Sequence, residues 1–466
     1  MVTNVTDKYL KMKIHILGIC GTFMGGLAQI LVEKGHIVSG SDKQFYPPMS
    51  DQLQSLGVKM IEGYEESDLP SADLYVIGNA LSRGNPSVEY ILNQKLDYTS
   101  GPQMLGEMIR DRTVIAVSGT HGKTSTSFLI CEIFKSQGID IGFLVGGVSD
   151  SFDNSARLGS SKYFVIEADE YDSAFFDKRS KFIHYHPQTF IINNIEFDHA
   201  DIFNDLSDIL KQFHHAVRTV PANGNIIFHD GDKNIADLLK MGCWSSKHQL
   251  GRKDNIQLSL EEGVINFENN KFDIRDLPMH GKHNLSNAMI AMYAASLHGI
   301  GSQDSFKALT NSKGVQRRFE TVFQNDHKIV IDDFAHHPTA ISHTVQAATN
   351  HFSSQRILGI IELASNTMSQ GHHGDELYES ASDLEKVFWL NISSKKNQEF
   401  EYDSIQLLLT DLKKDIDNFD VILIMSNKDS KKISEPIIDL IKNNQNSSIS
   451  LGIGRFAWHH TNTSNL

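Results

Sequence analysis

Cysteine is scarce in this chain of 466 residues: Cys20, Cys131 and Cys243 are odd in number, far apart and without metal-ligand spacing. That excludes a disulfide framework and fits a reducing compartment. Long apolar runs are missing, so no membrane-spanning helix is expected. The stretch 1–12 is polar and has no apolar core, so a signal peptide is not expected either. Positive charge is also short, with 43 Lys and Arg against 57 Asp and Glu and a formal net charge of −14. Such a surface argues against general affinity for nucleic acid or an anionic membrane, while leaving room for a local phosphate pocket. Internal repeats and low-complexity linkers are absent. A cytoplasmic protein is the expectation.

What is present is an ordinary globular composition, 40% hydrophobic and 21% charged. The length exceeds what one core usually accommodates, and three domains are the natural division. Three segments alternate short β-rich runs with helical stretches, the pattern of α/β layers built on mainly parallel sheets. The expected bounds are 1–110, 111–316 and 317–466.

The most informative stretch lies at the start of the second segment. An apolar run at 113–117 enters Gly119-Thr120-His121-Gly122-Lys123-Thr124-Ser125, and a helical pattern follows. A glycine turn between strand and helix aims backbone N–H groups and the positive end of the helix dipole at an anion. Lys123 would neutralise the β- and γ-phosphates of a nucleotide and the Thr124 hydroxyl would hold Mg²⁺. The loop is shorter than the usual P-loop, because Val117 stands where an earlier glycine is expected.

Two acidic strand ends follow. One is Glu167-Ala168-Asp169-Glu170-Tyr171-Asp172 after an apolar run at 163–166. Four carboxylates there repel one another unless a cation sits among them. The other is Asn193-Asn194-Ile195-Glu196-Phe197-Asp198-His199, after the run at 189–192. Acidic strand ends beside a phosphate loop are expected where Mg²⁺ bridges protein and ATP, although solvated loop acids look the same in sequence. Further on, His280-Gly281-Lys282-His283-Asn284-Leu285-Ser286-Asn287 precedes an Ala- and Met-rich helix. Asn284 and Asn287 would share one helical face, to cap the helix or bind a base edge.

The first segment opens with a strand at 13–17 running into Gly18, Gly21, Gly25 and Gly26, with a helix expected at 27–34 and a second strand at 37–40. Ser41 and Asp42 close that strand at the distance ribose recognition would need, but Cys20 replaces the second glycine of the dinucleotide fingerprint. Glycine-rich turns of this kind are common, and a purely structural reading stays open. A strand at 75–78 leads to Asn79, Arg83, Gly84, Asn85 and Pro86, where a sheet of this class binds ligands. In the third segment, Gln316-Arg317-Arg318-Phe319-Glu320 precedes a strand at 329–331 and Asp332-Asp333-Phe334-Ala335-His336-His337-Pro338. Pro338 should start a helix there. Strands are expected at 357–361 and 421–425, and a polar surface loop at 393–403.

Taken in order, Gly119 to Thr124, Glu167 to Asp172, Asn194 to His199, Gly281 to Asn284 with Asn287, and Asp332 to Pro338 resemble the Mur ligase family. The resemblance spans about 13–427. It is nearest to members that join UDP-N-acetylmuramate to the tripeptide L-Ala-γ-D-Glu-meso-diaminopimelate in peptidoglycan recycling. The runs His15 to Gly26, Tyr46 to Ser50, Gly78 to Pro86 and Phe175-Phe176-Asp177-Lys178-Arg179-Ser180-Lys181 carry that closer likeness.

The resemblance implies an N-terminal Rossmann-like domain for the UDP-sugar, a central ATPase domain and a C-terminal Rossmann-like domain for the peptide. It implies activation of the muramyl carboxylate by ATP as an acyl phosphate, then attack by the peptide amine. Thr124 and Glu167 would hold one Mg²⁺, and Glu167 with His199 a second. Gly119, Thr120, His121, Gly122, Lys123, Thr124 and Ser125 would bind the phosphates, and His283, Asn284 and Asn287 the adenine and ribose. Arg318 and Asp333 would reach ATP, and His336 the reacting acyl group or incoming amine. Gly18, Gly21, Thr22, Ser41, Asp42, Asn79, Arg83 and Asn85 would meet the UDP-sugar. A monomer or weak homodimer is expected, with no nucleic-acid or membrane partner. Two departures stand out. Leu363-Ala364 replaces the family's Pro-Arg before Ser365-Asn366-Thr367-Met368, and Lys428-Asp429 replaces a glycine-rich turn. Two alternatives follow: the family's L-alanine-adding enzyme, and a UDP-sugar and ATP binder that has lost catalysis.

Overall fold

The computed structural model describes residues 11–45, 49–152, 154–197, 202–252, 255–363, 374–390 and 400–455. It divides into two units, Met1–Met279 with His283–Gln316, and His280–Lys282 with Arg317–Leu466. The three cysteines are free.

The first sheet of the larger unit contains β1 (Lys13–Leu17), β2 (Ile37–Asp42), β3 (Lys59–Glu62), β4 (Leu74–Ile77) and β5 (Tyr98–Ser100), all parallel in the order β3-β2-β1-β4-β5. The chain winds outward from β1, then crosses to its other side at β4. Gly18 and Gly78 therefore lie together at the carboxyl ends of the switch point, where ligands of such sheets dock. Helix α1 (Thr22–Glu33) begins five residues before the expected start at 27. Gly25 and Gly26 disfavour helix by propensity, but packing overrides it. A Cβ on Gly25 would stand 2.0 Å from Met49 Sδ, and one on Gly26 3.1 Å from Ala156 Cβ. The glycines let the helix approach its neighbours on both sides.

The second sheet of this unit is built from β6 (Thr113–Ser118), β7 (Gly142–Leu144), β8 (Ala156–Arg157), β9 (Tyr163–Glu167), β12 (Thr189–Ile192), β13 (Asn225–His229) and β14 (Ser246–Leu250). Its order is β14-β13-β12-β6-β9-β7-β8, with only β8 antiparallel to its neighbour. Between β9 and β12 the chain makes a hairpin of β10 (Asp172–Ala174) and β11 (Asp177–Ser180), and after β14 it forms a small antiparallel sheet of β15 (Gln257–Ser259), β16 (Val264–Phe267) and β17 (Asn270–Asp273). Central strand β6 has β9 and β12 as partners, so the phosphate loop and the two acidic strand ends emerge side by side. That adjacency follows from the buried apolar run in each strand, which reads as a doubly covered parallel sheet.

Among the described residues the smaller unit holds six strands, β18 (Glu320–Gln324), β19 (Ile329–Asp333), β20 (Ile357–Glu362), β21 (Lys386–Leu390), β22 (Glu401–Tyr402) and β23 (Val421–Met425), in the order β18-β19-β23-β20-β21-β22. Only β18 runs antiparallel to its neighbour. The strands anticipated at 357–361 and 421–425 are β20 and β23. The helix predicted to start at Pro338 runs Pro338–His351, and the His337 side chain caps it by accepting the Thr339 N–H. Most of the surface loop anticipated at 393–403 lies outside the described residues.

Candidate active site

The phosphate loop is a strand-to-helix turn between β6 and helix α2 (Lys123–Ser136). Gly119 and Gly122 have φ of +127° and +81°. Gly122 is needed twice over: a Cβ there would meet Asn193 Nδ2 at 2.6 Å and Asn287 Oδ1 at 2.7 Å. The loop is braced from the end of β12. The Thr120 N–H donates to Asn194 O at 3.1 Å, the His121 N–H to Asn194 Oδ1 at 2.8 Å, and the Glu196 N–H to Thr120 Oγ1 at 2.9 Å. The His121 ring lies 3.6 Å from the Glu196 carboxylate.

Lys123 turns back over the loop. Its Nζ donates to Gly119 O at 2.7 Å and to Glu170 Oε2 at 3.1 Å. Burial alone would lower this ammonium's pKa, but Glu170, Asp169 and Glu167 outweigh it and hold the pKa above its ordinary value. The cation that the acidic strand end required is thus the phosphate-loop lysine, joined by Lys181, whose Nζ is 2.9 Å from Asp169. Beside them the Thr124 hydroxyl donates to Glu167 Oε1 at 2.9 Å, and the Gly146 N–H to Glu167 Oε2 at 2.7 Å. A hydroxyl and a carboxylate at a phosphate loop are hard oxygen donors, few enough to leave Mg²⁺ its waters and a phosphate oxygen. The residues present fit that ion. His199, expected as a further ligand, lies outside the described residues.

The helix Lys282–Ser296 corrects one detail of the sequence reading. Asn284 and Asn287 sit within its first two turns, three residues apart on one face as expected, and so do not cap it. Asn287 is buried, and its Oδ1 accepts from Asn193 Nδ2 at 3.4 Å, under Gly122. His283 and Asn284 are partly exposed on the first turn.

At the first sheet, Gly18 adopts φ +82° and Gly21 precedes α1, whose first residue is the exposed Thr22. Asp42 braces this turn: its carboxylate accepts the Cys20 N–H at 2.8 Å and the Tyr64 hydroxyl at 3.3 Å. The residue in the place of the fingerprint glycine therefore uses its N–H inside the protein. Ser41 Oγ is 2.9 Å from His15 Nε2, and Ser39 Oγ is 2.9 Å from His15 Nδ1. Burial, with a smaller contribution from Lys59, lowers the His15 pKa to about 4, so the ring is neutral. Arg83 is exposed and pairs with Glu89 at 2.8 Å; Asn85 caps the helix Pro86–Asn93 by accepting the Val88 N–H. Asn79 follows Gly78 at the end of β4, partly exposed.

In the smaller unit, Arg317 and Phe319 take φ of +60° and +57°, so Arg318 sits between two left-handed residues. Arg317 is held by Ser426 O at 2.6 Å and Asp332 Oδ2 at 3.3 Å. Both guanidiniums lie on the Phe334 ring, 5.0 and 4.9 Å from its centroid. Asp333 is turned inward. It accepts the Phe319 and Ala335 N–H groups, each at 2.8 Å, and the Thr344 hydroxyl at 3.1 Å, and burial pushes its pKa up. In that position it fixes the Arg318 loop. His336 Nδ1 donates to Phe334 O at 2.9 Å, which orients the ring.

Sequence comparison bears on this arrangement along its length. The description "Mur ligase family, catalytic domain" matches residues 13–113, "Mur ligase middle domain" residues 117–295 and "Mur ligase, glutamate ligase domain" residues 317–428. A UDP-N-acetylmuramate–L-alanyl-gamma-D-glutamyl-meso-2,6-diaminoheptandioate ligase of Haemophilus influenzae is 46% identical over 81% of this chain and 85% of its own. The ligase of that name in Escherichia coli matches at the same identity and coverage. The chain belongs to the Mur ligase family. A crystal structure of a murein peptide ligase from Psychrobacter arcticus, 38% identical, superposes with a TM-score of 0.72 over 93% of this chain and 99% of that one. The fold is accordingly the three-domain Mur ligase fold with mostly parallel sheets.

Within this Mur ligase, reading the sequence missed three features of the site. Glu170 was one of four clustered acids, with nothing in its spacing to mark it as the partner of Lys123. Asn193 and Asn194 open an acidic strand end and carry no signal of their own, yet they are the buttress of the phosphate loop. Arg317 was a neighbour of Arg318 with no separate role. Of the two departures, Leu363 is buried with its N–H on Leu390 O at 3.0 Å, while Ala364 lies outside the described residues. After β23 the loop takes a path without left-handed residues, with the Lys428 N–H on Ser426 Oγ at 3.0 Å and the Lys428 side chain exposed.

Proposed function

We propose that this Mur ligase joins UDP-N-acetylmuramate to L-Ala-γ-D-Glu-meso-diaminopimelate at the expense of ATP, forming ADP and phosphate, in cytoplasmic peptidoglycan recycling. The observation that carries this reading is the 46% identity, across 81% of the chain, to a relative of that name. The phosphate loop gives it a chemical basis. Residues 1–110 would bind the UDP-sugar, 111–316 ATP and 317–466 the peptide.

The chemistry asks two anions to meet. The muramyl carboxylate attacks the γ-phosphorus, the bond to the ADP oxygen breaks, and an acyl phosphate forms; the peptide amine then attacks the carbonyl and phosphate leaves. Lys123 would leave Glu170 for the β- and γ-phosphates and offset charge on the transferring group. Thr124 and Glu167 would hold Mg²⁺, which supplies further neutralisation of phosphate charge when bound. Gly122, Lys123, Thr124 and Ser125 would present N–H groups of the helix start to the phosphates. Asn287 would act chiefly by supporting Gly122. Arg318, fixed by Asp333, is assigned to ATP, and His336, oriented by its Nδ1 bond to Phe334 O, to the proton of the incoming amine.

Phosphate release with UDP-N-acetylmuramate and ATP tests the reading, comparing tripeptide, L-alanine and no amine. Tripeptide-dependent release is expected. Release with L-alanine alone would point to the L-alanine-adding enzyme, and no amine-dependent release to a binder without catalysis.

A further inference from the structure

The run Phe175 to Lys181 has no part in the chemistry so far, yet it ends inside the site. Its hairpin, β10 and β11, is riveted to the first sheet: Phe176 meets Tyr98 edge-on at 5.0 Å, and Phe175 packs against the cluster that includes Leu17, Tyr75 and Ile77. The other end is tied to the second sheet, with the Lys181 N–H on Tyr171 O at 2.9 Å and the Ser180 hydroxyl on Glu170 O. Lys181 therefore emerges where the two sheets of the larger unit meet.

Its side chain is only 11% exposed. Nζ lies 2.9 Å from Asp169 Oδ2, 5.7 Å from the centroid of the Phe23 ring and 5.6 Å from that of Tyr171. An ammonium has three N–H donors. Among the described residues it meets one carboxylate oxygen and two aromatic faces, a sparse set for a cation so buried. Position adds to this. Phe23 is the second residue of α1, directly after the Gly18–Gly21 turn, and Asp169 belongs to the acid cluster around Lys123. The ammonium thus stands between the turn where the nucleotide sugar would dock and the loop where ATP would dock. The local charge agrees: three carboxylates, Glu167, Asp169 and Glu170, against two ammoniums leave one negative charge, which a bound dication turns to one positive.

Building on the ligase reading above, we infer that Lys181 is the cation that takes the carboxylate of the nucleotide sugar. Asp169 steadies the ammonium, and the Phe23 and Tyr171 rings limit its hydration. The carboxylate so held is aimed toward the phosphate loop, and the hairpin sets that aim by fixing Lys181 to both sheets.

Calorimetric binding of two ligands to the full chain tests this: UDP-N-acetylmuramate, and UDP-N-acetylglucosamine, which lacks the lactyl carboxylate. Lys181→Met should weaken the first by about 10- to 100-fold, the range of a charge-assisted hydrogen bond, and change the second by less than about twofold. Lys181→Arg should keep most of the preference for the carboxylate ligand. Equal weakening of both ligands would show that Lys181 only supports the fold, and no weakening of either that the carboxylate binds elsewhere. Both results overturn the assignment while the wild-type chain still binds UDP-N-acetylmuramate. Failure of the wild type to bind that ligand would instead remove the ligase reading, and this inference with it.

Discussion

Lys123 and Glu170 form a buried ion pair at 3.1 Å, with side chains 13% and 3% exposed. The lysine expected to meet phosphate is held by a carboxylate of its own unit. Breaking a buried pair from one side leaves an uncompensated charge, at a cost of about 3–5 kcal/mol. Glu170→Gln should lower stability by an amount of that order, with ATP and Mg²⁺ recovering part of it. Lys123→Met added to Glu170→Gln should cost less than the sum of the single changes. Strictly additive losses in urea unfolding would show that the two residues do not act as a pair.

Lys123→Ala should abolish phosphate release while UDP-N-acetylmuramate binding survives, because the sugar nucleotide is assigned to the first sheet and Lys123 belongs to the second. Calorimetry on the variant decides: loss of UDP-sugar binding together with activity would contradict the division of ligands.

Glu167 and Asp169 stand two residues apart but touch different groups, Thr124 and Gly146 in one case and Lys181 in the other. Glu167→Gln should therefore cost roughly 100-fold in kcat and raise the Mg²⁺ concentration required. Asp169→Asn should cost less and act mainly on the KM of UDP-N-acetylmuramate. Equal losses for the two variants at saturating Mg²⁺ would count against the metal assignment.

His15 and His298 are both pushed down to about 4, by burial first and by Lys59 and Lys162 respectively second. Between pH 6.5 and about 4 the unfolded chain takes up these protons and the folded chain does not, so stability must fall as pH falls through that window. Each group contributes about 3 kcal/mol over the full window. His15→Gln should remove the His15 share of the slope and leave that of His298 and of the other histidines that burial lowers, such as His36, His184 and His248. An unchanged slope of urea midpoint against pH, from 4.5 to 7.5, would show that His15 is not protected.

On the family resemblance, Ala364 stands where an arginine is expected, next to the buried Leu363. If a carboxylate contact of the peptide was lost there, Ala364→Arg should raise kcat/KM for the tripeptide by about 10-fold or more. Lys428, exposed after β23, is the candidate replacement, and Lys428→Ala should then lower the same constant. Tripeptide kinetics unmoved by either change would mean that these positions do not recognise the peptide.

Much of the fold was legible in the residues. Apolar runs of strand length, each closed by glycine, acid or asparagine, identify β6, β9, β12, β19 and β23 because a doubly covered strand is apolar on both faces. The phosphate loop is local for the same kind of reason. Strand, glycine turn, lysine and hydroxyl are contiguous, so their spacing carries the chemistry. The start of α1 was not legible, since Gly25 and Gly26 read as a turn and only the closeness of Met49 and Ala156 shows why glycine stands inside the helix. Nor was the pairing within the acid cluster. Sequence places Glu167, Asp169 and Glu170 within four residues, but which of them faces Thr124, Lys181 or Lys123 depends on the turn after β9. It depends equally on where the hairpin delivers Lys181. Inward-facing Asp333, the cap made by Asn85 and the buttress of Asn193 and Asn194 are likewise choices among hydrogen-bond partners. A side chain's residue type states what it can bond; only the packed chain decides which partner arrives first at short range and excludes the others.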